Sequence, residues 1–346
     1  MTSALGAAPR VLVSRSDRVG DVALTLPLCG LLKARLGATV VFLGRRYTRD
    51  VLDASAAVDE VLEWEGGSAR EAAAVVRRAR ADAVLHVFPR PALAWGALLA
   101  GIPRRVGTAR RWYHWPTCTV REPVSRHGSP LHEAQLNVRL ARSLLPAADL
   151  ALAPAELAAF AGFRPRAPVP ERARPLLARD RFVLVLQPKS LGSAPEWPLA
   201  HYRALVDLLP PECYRVLVVG SAAEGAAMRD WLAGLPAHAH DVTGGSLADL
   251  IALLAAADGV IAASTGPLHL AALLGVPTLG LFAPGRSINA GRWGPIGPRA
   301  EALEAPAACA AHAVGGTADG ACTCMAAITP EAVRDRVARW AAARDR

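Results

Sequence analysis

The stretch VLVSRSDRVGDVALTLPLCGLLKARLG, Val11 to Gly37, begins as an apolar run, breaks at a polar turn containing Gly20 and Asp21, and resumes with helical periodicity. A strand that leads through a short turn into a helix is the opening half of a βαβ unit. The turn then lies at the carboxyl edge of a parallel sheet, where α/β proteins hold their ligands. A carboxylate at that edge, Asp21, is therefore a candidate for chemistry, although Asp is also a common helix cap.

Similar runs recur along the chain: Thr39–Phe42, Ala83–Phe88, Phe182–Leu186, Arg215–Val219, Gly259–Ala263 and Thr278–Phe282. The segments between them are rich in Ala, Leu and Arg and favour helix, as in Arg70–Arg80 and Leu247–Ala257. Strands alternating with helices predict an α/β fold with parallel sheets. Four prolines within Gly162–Asp180 stop either kind of element. A first domain is thus expected over 1–165, a linker over 166–177 and a second domain over 178–328. A last helix, 329–346, follows the cap Thr329-Pro330 and is expected to turn back onto the first domain.

The chain has 346 residues, 52% of them hydrophobic and 20% charged, with a formal net charge of +9. The size suits two domains with substantial cores. No apolar segment reaches the length of a membrane span, and the amino-terminal residues carry no secretory pattern, so a cytoplasmic protein is expected. Its six cysteines are then expected to be reduced thiols. The positive charge favours acidic partners such as nucleotides, phosphorylated sugars or an anionic membrane face.

Three turns of the second half point to a nucleotide. In Gly259–Gly285 a strand ends at Ser264, and a helix opens through Thr265, Gly266, Pro267, Leu268 and His269. Small residues at a helix start expose backbone amides to a phosphate. The turn after Phe182–Leu186 offers Lys189, Ser190 and Ser193. The turn after Arg215–Val219 offers Gly220, Ser221 and Glu224, with Glu224 as an acceptor for ribose hydroxyls. No G-x-G-x-x-G follows any strand, which argues against a dinucleotide-dependent dehydrogenase.

In order and spacing these motifs resemble glycosyltransferase family 9, the ADP-heptose:lipopolysaccharide heptosyltransferases. The resemblance rests on Arg15 with Val19-Gly20-Asp21-Val22, on Thr25-Leu26-Pro27, and on His132-Glu133 with Asn137. It continues through Gly192-Ser193 with Trp197-Pro198-Leu199, Gly220-Ser221 with Glu224, Thr243-Gly244 with Leu247, Ser264 to Ala272, and Cys324-Met325 with Ile328-Thr329-Pro330.

The resemblance implies a GT-B fold, two Rossmann-like domains facing a cleft. It also implies an inverting, metal-independent transfer from a nucleotide-diphosphate sugar, with Asp21 as general base and no cofactor beyond the donor. Thr243 and Gly244 join the donor-binding residues above, and Lys189 is the candidate cation for the diphosphate. Pro195 and Ser264 stand where the family commonly carries lysine and aspartate, which leaves another donor sugar open. Arg15, Arg18, Gly20, Arg110 and Arg111 are the expected acceptor contacts, the acceptor being an acidic lipid-linked saccharide reached at the membrane face.

Cys309, His312, Cys322 and Cys324 form a weak candidate metal cluster, since Cys-x-Cys is not usual zinc spacing. Two other readings stand beside transfer: a sugar-nucleotide epimerase of similar fold, and an Arg-rich protein that only binds nucleic acid or membrane, though no nucleic-acid recognition module accompanies the arginines.

Overall fold

The computed structural model describes residues 8–285, 289–307 and 323–344. The chain divides into two units, Met1–Arg164 and Pro165–Arg346.

The first unit is built on six parallel strands: β1 (Arg10–Ser14), β2 (Thr39–Gly44), β3 (Glu60–Glu63), β4 (Ala83–His86), β5 (Arg104–Thr108) and β6 (Val120–Glu122). They lie in the order β3-β2-β1-β4-β5-β6. The second unit repeats the plan with β7 (Phe182–Gln187), β8 (Tyr214–Val218), β9 (Ala239–Asp241), β10 (Gly259–Ala263), β11 (Thr278–Phe282) and β12 (Ala300–Glu304). Its order, β9-β8-β7-β10-β11-β12, is the same topology. In each sheet the strand order reverses between the first and fourth strands, β1/β4 and β7/β10, which still run parallel, and that reversal is where such folds open a crevice for ligands.

The central strands are buried on both faces, so they read as continuous apolar runs. Local chemistry sets the helix ends. Ser68 with Glu71, Ser221 with Glu224 and Ser246 with Asp249 each form a reciprocal cap. Gly37 closes the helix Leu26–Leu36 in the left-handed conformation, φ 60°. Gly30 on that helix touches the Phe160 carbonyl so closely that a Cβ would sit 1.8 Å from its oxygen.

The proline-rich segment is part of the second unit rather than a bare linker. It holds a 3-10 turn, Glu171–Leu177, with Ala173 buried and Arg172 donating to the Thr243 carbonyl. The helix Pro330–Arg344, expected against the first domain, instead sets Val333 and Val337 into the core of the second. Trp197 Nε1 donates to the Ile328 carbonyl at 2.8 Å, and Arg344 reaches Asp258 and the Arg181 carbonyl. The physical reason is a stripe of apolar residues, Val333, Val337 and Trp340, that matches the face presented by Trp197, Tyr202 and Phe182. Among the described residues no helix is long and apolar enough to cross a membrane.

Candidate active site

In the first unit the turn after β1 winds into a short helix, Val19–Ala23, with Asp21 in its first turn. Asp21 caps nothing; its carboxylate accepts from Nη2 of Arg15. Arg15, expected to meet the acceptor, is only 3% exposed, and its guanidinium is fully engaged. It donates to Asp17 at 2.9 Å, to Glu133 Oε1 at 2.8 Å and to Asn137 Oδ1 at 3.0 Å as well as to Asp21. The family contact thus becomes a support for the carboxylate, because a buried arginine is stable only with its donors satisfied.

Glu133 and Asn137 are brought here by the helix Glu133–Leu140, which His132 caps through its ring nitrogen. Arg126 shares both, at 2.9 Å to each. Asn137 also donates to the Leu24 carbonyl, and Thr25 Oγ1 donates to the Asp21 carbonyl, which ties the turn to that helix. Glu133, Asn137 and Arg126 were not among the expected site residues; Glu133 and Asn137 lie in the His132-Glu133 and Asn137 motif, which does not say which turn it meets, and Arg126 lies outside it.

Asp21 is 17% exposed. Burial pushes its pKa up to about 6, Arg15 opposes this, and Asp17 and Glu133 add to it. The result is a carboxyl that changes charge near neutral pH, as suits a general base. Arg18 beside it is exposed and Gly20 is half-buried. Arg110 and Arg111 stand elsewhere on the unit, exposed after β5 beside Trp112 and Trp115, which are 74% and 62% exposed.

In the second unit the sheet order sets the ends of β10, β7, β8 and β9 side by side. After β10, Thr265 takes the cap position of the helix Gly266–Leu273, yet its hydroxyl donates backward to the Ala263 carbonyl rather than forward. The first amides of the helix therefore have no side-chain cap. Ser264, Gly266 and Pro267 are half-buried there, while Leu268 and His269 are buried.

After β7, Lys189 is held by Glu196, Nζ to Oε2 2.5 Å. Ser190 donates to Glu196 and to the Ala194 carbonyl, and Ser193 donates back to the Ser190 carbonyl. Glu196 was not anticipated, and Leu191 beside it holds a left-handed φ of 48°. After β8, Glu224 is buried and accepts from the Ser221 amide at 2.7 Å, so one oxygen of this expected ribose partner serves the helix cap. Gln187 Nε2 links the two turns, donating to the Lys189 carbonyl and to Glu224. Gln187 Oε1 has no partner among the described residues. Gly244 donates its amide to the Gly220 carbonyl, which brings Thr243 and Gly244 to the same group. The donor candidates thus share one sheet edge.

Among the described residues no group of three or more His, Cys, Asp or Glu side chains can hold a metal ion. Cys309, His312 and Cys322 lie outside the described residues, and Cys324 is buried in the core of the second unit.

Comparison with known proteins bears on this arrangement. A Haemophilus influenzae protein named as a glycosyltransferase is 28% identical over 306 residues, 83% of this chain and 86% of that one. The structure of Escherichia coli ADP-heptose lipopolysaccharide heptosyltransferase II is similar with a TM-score of 0.75 at 22% identity, covering 97% of this chain and 100% of that one. The family 9 glycosyltransferase of Veillonella parvula is similar with a TM-score of 0.79 at 18% identity, covering 96% and 97%. Both share this fold of two six-stranded parallel units, GT-B. The model of glycosyltransferase family 9 (heptosyltransferase) matches residues 131–319, more than half of the 346, and the chain belongs to that family and is a glycosyltransferase.

Proposed function

We propose that the chain transfers a sugar, heptose in the first instance, from ADP-heptose to an acidic lipopolysaccharide-core saccharide, in a single metal-independent displacement with inversion. ADP-heptose and lipopolysaccharide are named for the Escherichia coli enzyme of the same fold. The observation that carries the reading is the Arg15–Asp21 pair at the end of β1.

Asp21 takes the proton of the acceptor hydroxyl as that oxygen attacks the anomeric carbon. The bond from that carbon to the diphosphate breaks, and ADP leaves with the electron pair. The uncapped amides of Gly266 and Leu268 and the Lys189 ammonium meet the charge that develops on the departing diphosphate. Gln187 Oε1, with Glu224 and the Gly220–Ser221 turn, receives the nucleoside. The first unit binds the acceptor, with exposed Arg18, Arg110 and Arg111 on its acidic groups, and Trp112 and Trp115 at the headgroup layer of the membrane.

The test mixes purified protein with ADP-heptose and de-heptosylated core lipid and follows ADP. Release should need the acceptor, survive a chelator, and fall by about 10²-fold or more in Asp21→Asn. Undiminished release in that variant removes Asp21 from the mechanism, and conversion of ADP-heptose into an isomeric ADP-sugar without any acceptor turns the reading toward the epimerase alternative.

A further inference from the structure

At the reversal point of the first sheet, the segments that follow β1, β2, β3 and β4 enclose a cavity of about 200 Å³ lined by Ser16, Arg45, Trp64, Glu65, Gly66 and Arg90. Two of its walls carry an unmet need. Ser16 and Trp64 are 4% and 9% exposed. Ser16 Oγ and Trp64 Nε1 are buried without any hydrogen-bond partner among the described residues. Native proteins rarely leave such groups unsatisfied, and the cost falls when an oxygen arrives to accept from them.

The charge around the cavity selects the kind of oxygen. Glu65 is occupied: it accepts from the Arg45 side chain at 3.0 Å and from the Arg46 amide at 2.6 Å. Arg90 lies over the Phe88 ring at 4.5 Å and makes no ion pair among the described residues. Two guanidiniums therefore face one carboxylate that Arg45 already balances, leaving Arg90 in excess. The indole N–H and the unspent guanidinium can only donate and the serine hydroxyl can join them, so an anionic group, which accepts from several donors at once, suits the cavity better than a neutral hydroxyl.

We propose that this cavity is an anion subsite that receives a carboxylate or phosphate group of the acceptor saccharide, with Arg90, Trp64 Nε1 and Ser16 Oγ as its donors. Ser16 follows directly on Arg15, so the subsite shares a turn with the residue that holds Asp21. It extends the reading of the first unit as the acceptor-binding unit and rests on it. None of the expected acceptor arginines lines the cavity, so acidic groups on the acceptor are met at more than one place.

The experiment uses the full chain labelled with 5-fluorotryptophan, the Trp64 fluorine signal being assigned by its loss in Trp64→Phe. Glucuronate, glucose 6-phosphate and neutral glucose are titrated separately. The Trp64 signal should move with one or both acids and stay still with glucose; which acid moves it tells carboxylate from phosphate. Arg90→Gln should weaken that binding about tenfold, while Arg77→Gln, on an outer helix, leaves it unchanged. No movement with either acid, equal movement with glucose, or unaltered affinity in Arg90→Gln overturns the subsite. The readout needs no donor and no turnover, so its failure leaves the transfer reading intact. Failure of the Asp21→Asn test would conversely leave a measured anion site in place.

Discussion

Arg15 donates to Asp21 and Glu133 from the same guanidinium, joining a turn near the start of the first unit to a helix 118 residues later in sequence. The proposed base is thereby held in place by a part of the chain far from it in sequence. Its ionisation is held between two opposing influences, burial raising its pKa and Arg15 lowering it. The rate should therefore report on Asp21 directly.

With a folded pKa of about 6, Asp21 is a proton acceptor only above that pH. The kcat/KM for transfer should rise tenfold per pH unit below about 6 and level off above it. Because the folded pKa is raised from 3.8, ionising Asp21 disfavours the folded state, and this contribution to stability is lost as pH rises through 6. Asp21→Asn should flatten the acidic limb of any residual rate. A rate that stays constant down to pH 4.5 contradicts the assignment.

Replacing Arg15 by alanine strands Asp17, Asp21 and Glu133 without their shared cation, leaving Arg126 to serve Glu133 alone. Breaking a buried pair from one side costs about 3–5 kcal/mol. Arg15→Ala should melt many degrees lower than the parent in a thermal scan at pH 7, and lowering the pH toward 5 should restore part of the loss as the carboxyls protonate.

Lys189 and Glu196 form a pair that a diphosphate, on the proposed reading, would have to share or open. Glu196→Gln removes the competing charge while keeping an acceptor for the Ser190 amide. It should tighten ADP binding a few-fold by calorimetry, whereas Lys189→Ala should weaken it about tenfold. Identical affinities in all three proteins would mean that the ammonium does not meet the diphosphate.

His86 ends β4 in full burial, stacked on His114 with ring centroids 5.6 Å apart. Burial first, then the neighbouring His114 and Arg105 charges, push its pKa down to about 3. A histidine whose folded pKa lies below its unfolded value stabilises the fold at high pH and loses that contribution as pH falls from about 6.5 toward 3, at roughly 1.4 kcal/mol per unit. The melting temperature should drop between pH 7 and 5, and drop less in His86→Leu. A parallel pH dependence in the two proteins would refute this.

Trp112 and Trp115 stand exposed among Arg110, Arg111 and Arg121, the last stacked on Trp115 at 4.9 Å. The protein should sediment with vesicles containing anionic phospholipid, less so in high salt, and much less after Trp112→Ala with Trp115→Ala. Equal recovery with purely zwitterionic vesicles would exclude the electrostatic part of this contact.

Seven strands were legible as apolar runs, and all seven lie inside the sheets: β1, β2, β4, β7, β8, β10 and β11. The others escaped for a physical reason. β3, β6, β9 and β12 are the edges, short or charged, as in Glu60–Glu63 and Ala300–Glu304, which is how sheets guard their open sides. β5 sits one place in, but begins with Arg104-Arg105. The site divides in the same way. Turns named by local composition, such as Gly220–Glu224 and Ser264–His269, do gather at one edge, whereas the partners that govern them come from distant sequence. Glu133 against Arg15 is one such partner. Trp64 beside Ser16 is another, and no motif in the sequence marks it.

The packing of the helix Pro330–Arg344 into the second core has a consequence for how the protein is made. Trp197 and the side chains around it stay uncovered until the ribosome has released the stretch that carries Ile328, Val333 and Val337, some 130 residues later. The first unit has every described strand of its sheet before residue 123 and can close during synthesis. The second closes only after that later stretch has emerged, so its apolar core surface stays exposed longer during translation and is the more open to chaperone capture.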